Sequence, residues 1–308
     1  MITDQDMMGL IVDARLRDPE RPLRWAQARQ QPRSWGERSL VLVASDHPAR
    51  RTVGAGEDAW AMANRPDLLR RLVRVLMQPF VDGALVTPDI MEELWILQAW
   101  VASQGGPDFL NDKILIGSMN RAGLAETVFE LEDFVTGYTA PALIANRMDA
   151  GKLLLRIDPK AHASSRTLRY VVEALDALNA ARIPAFLEPI PIPPSVDDLV
   201  RLVGVASALG PSSQGRWLKV PMMAPFARVA AATTCPLVLL GGADAGAPED
   251  LFQRVQACLR VSPNVRGILM GRGVLYPRDG ADPRAVLAHL AALLHARPVE
   301  EIVQWPHL

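Results

Sequence analysis

Three short apolar runs of this chain carry ionisable residues at alternating positions. "KLLLRI" (152–157) holds Lys152 and Arg156, "PAFLEPI" (184–190) holds Glu188, and "RWLKVP" (216–221) holds Lys219. A further run, "SLVLVAS" (39–45), delivers Asp46 and His47 directly after it. Successive side chains of a strand point to opposite faces. In "KLLLRI" one parity is wholly apolar, so Lys152 and Arg156 should face an interior. In "PAFLEPI" Phe186 and Glu188 share the parity opposite Ala185 and Leu187, and in "RWLKVP" Trp217 and Lys219 share the parity opposite Leu218 and Val220, so Glu188 and Lys219 should face it too. Burial and a neighbouring ammonium both lower a lysine's pKa. A neutral amine attacks a carbonyl carbon and, on losing water, becomes an imine, and a nearby carboxylate relays the protons of such a reaction. The competing structural roles are a snorkelling or purely paired lysine for Lys219 and a turn cap for Asp46. Three inward charges on neighbouring strands favour chemistry.

These side chains need a frame. Eight apolar runs recur along the chain: 39–45, 83–87, 113–118, 152–157, 184–190, 216–221, 236–242 and 267–272. Helical patterns separate them, at roughly 58–77, 89–103, 138–149, 164–182, 195–209, 224–233, 248–261 and 282–295. Ser195 reads as a helix cap and Pro248 as a first-turn proline. Strict alternation of eight strands with eight helices predicts a (β/α)₈ TIM barrel, an α/β fold whose chemistry sits at the C-terminal mouth. A doubly wound open sheet is the alternative, but no GxGxxG follows the first run. The reading is one domain: an N-terminal helix and lead-in across the barrel bottom over 1–38, a barrel over 39–297, and a tail over 298–308. A long connection, 119–137, follows the third run as a lid or contact surface.

Composition narrows the function. The 308 residues are 49% hydrophobic with a net charge of −1, which argues against a nucleic-acid or anionic-membrane binder. No apolar run reaches the ~20 residues of a membrane helix, and the N-terminus lacks a signal-peptide core. Cys235 and Cys258 form no CxxC, so a reduced, cytoplasmic setting is expected. The scattered histidines give no metal-like spacing, and neither metal nor cofactor is expected. The apolar helix "MEELWILQAWVA" (91–102) packs either within the chain or on a second copy; a homo-oligomer is expected.

Glycine-rich stretches follow the last two strands: "GGADAGAPEDLF" (241–252) and "MGRGVLYP" (270–277). Exposed backbone N–H groups there make an anion cradle. The expected phosphate-binding residues are Gly241, Gly242, Gly271 and Arg272, with Asp244 as a cap.

The ordered series "SDHPAR", "DAGKLLLRIDP", "IPAFLEPI", "WLKVP", "VLLGGAD" and "GRGVLYP" resembles class I, Schiff-base aldolases of the tagatose-bisphosphate type. It is similar, more loosely, to the archaeal-type fructose-bisphosphate and deoxyribose-phosphate aldolases. The resemblance covers residues 40–277. It implies Lys219 as the imine lysine, Glu188 as the main proton shuttle, Lys152 as the amine that tunes Lys219, and Asp46 as a group near the bond being cleaved. His47 stands where that pattern has glutamine. His47 and Arg156 would contact substrate, and Gly271 and Arg272 would hold its phosphate. Pro48 replaces the arginine of the first loop, leaving Arg50 or Arg51 as substitutes. The seventh strand lacks the second lysine of deoxyribose-phosphate aldolases. The nearest resemblance is to an actinobacterial group associated with inositol catabolism. That implies cleavage of 2-deoxy-5-keto-gluconate 6-phosphate to dihydroxyacetone phosphate and malonate semialdehyde. Rival readings are a deoxyribose-phosphate or ketose-bisphosphate aldolase, a phosphosugar isomerase using Glu188 without an imine, and a non-catalytic phosphosugar-binding barrel.

Overall fold

A computed structural model describes residues 2–32, 35–242, 247–296 and 302–308. Eight parallel strands close into a barrel in sequence order. They are β1 Leu40–Ser45, β2 Gly83–Val86, β3 Ile114–Ser118, β4 Ala150–Ile157, β5 Ala185–Pro191, β6 Arg216–Pro221, β7 Leu237–Leu240 and β8 Val265–Met270. The helices are α1 Asp4–Arg17, α2 Arg21–Ala28, α3 Arg65–Leu76, α4 Pro88–Ser103, α5 Ala140–Ala145, α6 Ala163–Ala180, α7 Val196–Ala208, α8 Phe226–Ala231, α9 Pro248–Leu259, α10 Arg272–Leu275 and α11 Pro283–His295. The fold is the (β/α)₈ barrel that the alternating pattern predicts.

Strand parity sorts the core in two. Leu40, Leu42 and Ala44 of β1 join Phe186 of β5 and Trp217 of β6 inside the barrel. Val41 and Val43, with Leu153, Leu155, Leu187, Leu218 and Val220, pack outward against the helices. Each strand buries both faces, so each reads as a nearly continuous apolar run. Within β4, β5 and β6 the inward row carries Lys152, Glu188 and Lys219 toward the mouth.

Trp35 closes the bottom of the barrel. Its ring stacks on Phe186 at 6.0 Å and on Trp217 at 5.8 Å, and those two rings stack on each other at 5.5 Å. Aromatic pairs of this kind add about 0.5–1.5 kcal/mol beyond their buried area. The plug seals the barrel one layer below Glu188 and Lys219.

The N-terminal segment holds two helices where one is expected. Asp18, at φ −154° and ψ 74°, ends α1. It precedes Pro19, whose ring disfavours helical geometry in the residue before it. The richly apolar α4 packs under α1, α2 and α3, which covers its hydrophobic faces within the chain. Ser195 caps α7 by accepting from the Asp198 amide, and Pro248 opens α9. The helix expected at 138–149 shortens to α5, since Arg147 takes a left-handed φ of 50° just beyond it. β8 ends before Gly271, whose φ −111° and ψ −96° turn the chain out of the sheet. No helix among the described residues is long and apolar enough to cross a membrane.

Candidate active site

The mouth gathers the charged ends of five strands. Asp46 follows β1, Arg121 follows β3, Lys152 lies on β4, Glu188 on β5 and Lys219 on β6. All five are at most 9% exposed. In register, Lys152 lies opposite Phe186, one layer below Glu188. Its four-carbon stem carries the ammonium up to the carboxylate layer.

The contacts form one continuous row. Lys219 Nζ lies 3.1 Å from Glu188 Oε1. The other oxygen of Glu188 is in contact with Lys152 Nζ. Lys152 also donates to Asp46 Oδ2 at 3.3 Å, and Arg121 pairs with that same oxygen. Ser118, at the end of β3, donates to it at 3.4 Å.

Burial dominates the titration of both amines. It lowers Lys219 below its ordinary value, with Glu188 opposing and Arg121 adding to the shift. It lowers Lys152 further, and Arg121 adds to that too. Yet Lys152 touches two carboxylates and Lys219 one, so local compensation favours the proton on Lys152. Burial alone would raise the Glu188 carboxyl, but Lys152, Lys219 and Arg121 together hold it below the usual range. Burial, then Arg272 and Lys219, push the His47 imidazole well below its ordinary value, so it is neutral.

A cavity of about 230 Å³ opens above this row. His47, Arg50, Arg121, Leu154, Arg156, Glu188, Lys219, Gly241, Gly242, Gly271 and Arg272 are among its walls. Lys219 borders it, whereas Lys152 lies wholly buried below. An electrophile in the cavity therefore meets Lys219 first.

The expected phosphate-binding residues lie together at this cavity. Gly241, Gly242, Gly271 and Arg272 form one wall. Gly242 adopts φ +79°, and a side-chain carbon added there would meet no atom within 4 Å. At Gly271 such a carbon would lie 2.4 Å from the His47 ring and 2.6 Å from the Ala44 carbonyl. That glycine is what lets the imidazole lie against the strand end. Arg272 Nε has no partner among the described residues, which leaves it available to an anion. Asp244 lies outside the described residues.

Arg156 reaches the cavity wall with its guanidinium already engaged. It donates from Nε to Asp133 at 3.0 Å and from Nη1 to Glu130 at 2.8 Å, and from Nη2 to the Gly123 carbonyl at 2.8 Å. Arg50 pairs with Glu130 at 2.5 Å, and Arg51 donates to the Ala125 carbonyl at 3.2 Å. All three arginines hold the 119–137 connection. Asn120 pins it from the other side: its amide donates to the Leu154 carbonyl at 2.8 Å and its oxygen accepts from the Leu154 amide at 2.6 Å. The connection is fastened to β4 and shapes one side of the mouth.

Arg121 is the residue that strand-based reading passes over. It sits three residues beyond β3 in "GSMNRAG", outside any alternating pattern. Its position immediately after a strand, on the loop side of the mouth, is the signal that marks it.

The comparisons place the chain among known proteins. Residues 38–290 match the family model described as Cgl0159-like. The crystal structure of Cgl0159 from Corynebacterium glutamicum is similar at a TM-score of 0.85 and 34% identity, over 94% of this chain and 97% of that one. An archaeal fructose-1,6-bisphosphate aldolase, with its catalytic lysine covalently bound to the carbinolamine intermediate of the substrate, shares the fold. Its TM-score is 0.58 at 16% identity, over 83% of this chain and 94% of that one. A fructose-bisphosphate aldolase from Slackia heliotrinireducens gives 0.63 at 15% identity, over 96% and 92%. No curated protein matches the sequence. The family model and the Corynebacterium glutamicum structure both span most of the chain, and the protein belongs to the Cgl0159-like family.

Proposed function

We propose that this protein is a class I aldolase, a lyase that cleaves a phosphorylated keto-sugar or keto-sugar acid through an imine on Lys219. The observation that carries the reading is the buried amine of Lys219 at the cavity wall, 3.1 Å from Glu188, with Lys152 on the same carboxylate. The shared fold with fructose-bisphosphate aldolases agrees with it.

In the forward direction the neutral Lys219 amine adds to the ketone carbon and gives a carbinolamine. Glu188, 3.1 Å from Nζ, takes the proton that the nitrogen sheds on addition and returns it to the hydroxyl, which leaves as water and forms the imine. A base then removes the proton from the hydroxyl two carbons away. The carbon–carbon bond breaks, its electron pair flows into the imine as an enamine, and an aldehyde departs. Protonation of the enamine and hydrolysis release the ketone and restore Lys219. Asp46 and Glu188 are the carboxylates that flank this path, and His47 offers a neutral ring beside it. Arg272 with Gly241, Gly242 and Gly271 would hold the phosphate.

The finer substrate proposed is 2-deoxy-5-keto-gluconate 6-phosphate, giving dihydroxyacetone phosphate and malonate semialdehyde in inositol catabolism. It has one phosphate, matching one cradle. The test is reduction with borohydride in the presence of dihydroxyacetone phosphate. A stable adduct on Lys219 is the expected result. Full turnover by Lys219→Met would sink the imine and favour an isomerase, while phosphate binding without any carbonyl product would favour a binding protein.

A further inference from the structure

A second cavity of about 480 Å³ lies across the mouth, over β2 and β3. Ala49, Thr87, Pro88, Ser118, Arg121, Leu124, Phe134 and Thr136 are among its walls. Arg121 borders both this cavity and the one over Lys219. The first cavity, at about 230 Å³, is smaller than the ~300 Å³ at which small-molecule pockets usually begin. An imine-bound substrate with its phosphate at β7 and β8 must extend somewhere, and the second cavity lies on the opposite side of the closed barrel.

The hydrogen-bond donors on that side fit a carboxylate. Arg121 is 9% exposed, and its Nε is a buried donor with no partner among the described residues. Its contact with Asp46 involves one terminal nitrogen, leaving other donors of a five-donor fork to spare. The acidic group in the wall, Asp89, is paired with Arg65 at 2.7 Å and accepts from Thr87 at 2.5 Å. Ser118 and Thr136 add hydroxyls, and the remaining walls are apolar.

We infer that the second cavity is the subsite for the departing aldehyde half of the substrate, and that this half carries a carboxylate read by Arg121. The unpartnered Nε and the remaining terminal donors of one guanidinium suit the two oxygens of a carboxylate. A phosphate would ordinarily gather several cations or a run of backbone amides, as the opposite wall offers. The inference deepens the aldolase reading and rests on it for the word "substrate", but the binding site stands on its own geometry.

Titration calorimetry on the full chain, with inorganic phosphate and 3-hydroxypropionate as probes, tests it. Both probes are expected to bind at once, each changing the other's Kd less than threefold. Arg121→Gln should weaken 3-hydroxypropionate at least tenfold and leave phosphate within twofold; Arg272→Gln should do the reverse. Leu124→Trp, which fills the second cavity from its rim, should also weaken 3-hydroxypropionate and covers the case in which Arg121→Gln fails to fold. Mutual exclusion of the two probes, or 3-hydroxypropionate affinity untouched by both cavity variants, overturns the inference. Failure of borohydride trapping on Lys219 sinks the aldolase reading and leaves these binding results unaffected, so the two failures are distinguishable.

Discussion

Replacing Glu188 with glutamine probes the charge row at its centre. The side chain keeps its size but loses the carboxylate shared by Lys152 and Lys219. Breaking a buried pair costs about 3–5 kcal/mol when the orphaned charge persists. A lysine can instead release its proton, at about 1.4 kcal/mol per pH unit between its pKa and the solution. Glu188 raises the pKa of Lys152, the amine that keeps its proton, so its removal lowers that pKa further. In the unfolded chain a lysine stays protonated to about pH 10.4. Between the folded and unfolded pKa values the unfolded state binds more protons, and stability rises with pH. Glu188→Gln extends that window at its acid end. Its stability deficit is therefore largest in mild acid and shrinks as pH rises: about 3–5 kcal/mol at pH 6 and about 1–2 kcal/mol at pH 9. For 308 residues, about 1.5 °C of Tm corresponds to each kcal/mol. Thermal unfolding in phosphate-free buffer should show Tm lowered by about 5–7 °C at pH 6 and about 2 °C at pH 9. An equal deficit at both pH values, or none, would refute the coupling between this carboxylate and the buried amines.

Lys219→Met should abolish borohydride trapping yet leave stability unchanged or up to about 2 kcal/mol higher, since Glu188 keeps Lys152 as partner and a buried amine is replaced by an apolar chain of similar length; denaturant melts check this. Gly271→Ala should lower stability by about 1–3 kcal/mol, because the added carbon meets the His47 ring and the Ala44 carbonyl. It should also raise KM for a phosphorylated substrate more than it lowers kcat. Asp133→Ala removes the carboxylate that accepts from Arg156 and from the Gly123 amide. Limited proteolysis within 119–137 should then speed up at least tenfold, and an unchanged cleavage rate would show that the connection is held by other contacts.

The strands and their parity were legible because burial on both faces writes them as apolar runs, and a charge inside such a run stands out. Lys219, Glu188 and Lys152 are visible for that reason. The break between α1 and α2 was legible in principle from Pro19, whose effect on Asp18 is local. Two features were not legible. Arg156 sits at an inward position, and alternation says where it points but not that Asp133 and Glu130, more than twenty positions earlier, claim its guanidinium. Arg121 lies in a loop, where no period constrains a side chain, and only the closure of the barrel brings it to Asp46.

The charge count also predicts what the phosphate does besides binding. Lys219, Lys152 and Arg121 face Glu188 and Asp46, so the row balances when one amine is neutral. Arg121 keeps its proton and Lys152 touches both carboxylates, which leaves Lys219 as the neutral amine. Converting it to a protonated imine adds one positive charge to a balanced, buried row, close to the positive Arg272. A phosphate monoester carries about two negative charges near neutral pH, enough to offset both. At an effective dielectric of about 20 and a separation of about 7 Å, one unit pair is worth about 2.4 kcal/mol, or roughly fiftyfold. Hydroxyacetone, which lacks the phosphate, should therefore be trapped on Lys219 tens of times more slowly than dihydroxyacetone phosphate when both saturate the site. Inorganic phosphate in the cradle should restore much of that rate, and Arg272→Gln should abolish the rescue. Rapid-quench borohydride trapping followed by mass spectrometry measures all three. If inorganic phosphate only slows the trapping of hydroxyacetone, the phosphate serves to anchor the substrate and has no part in stabilising the imine.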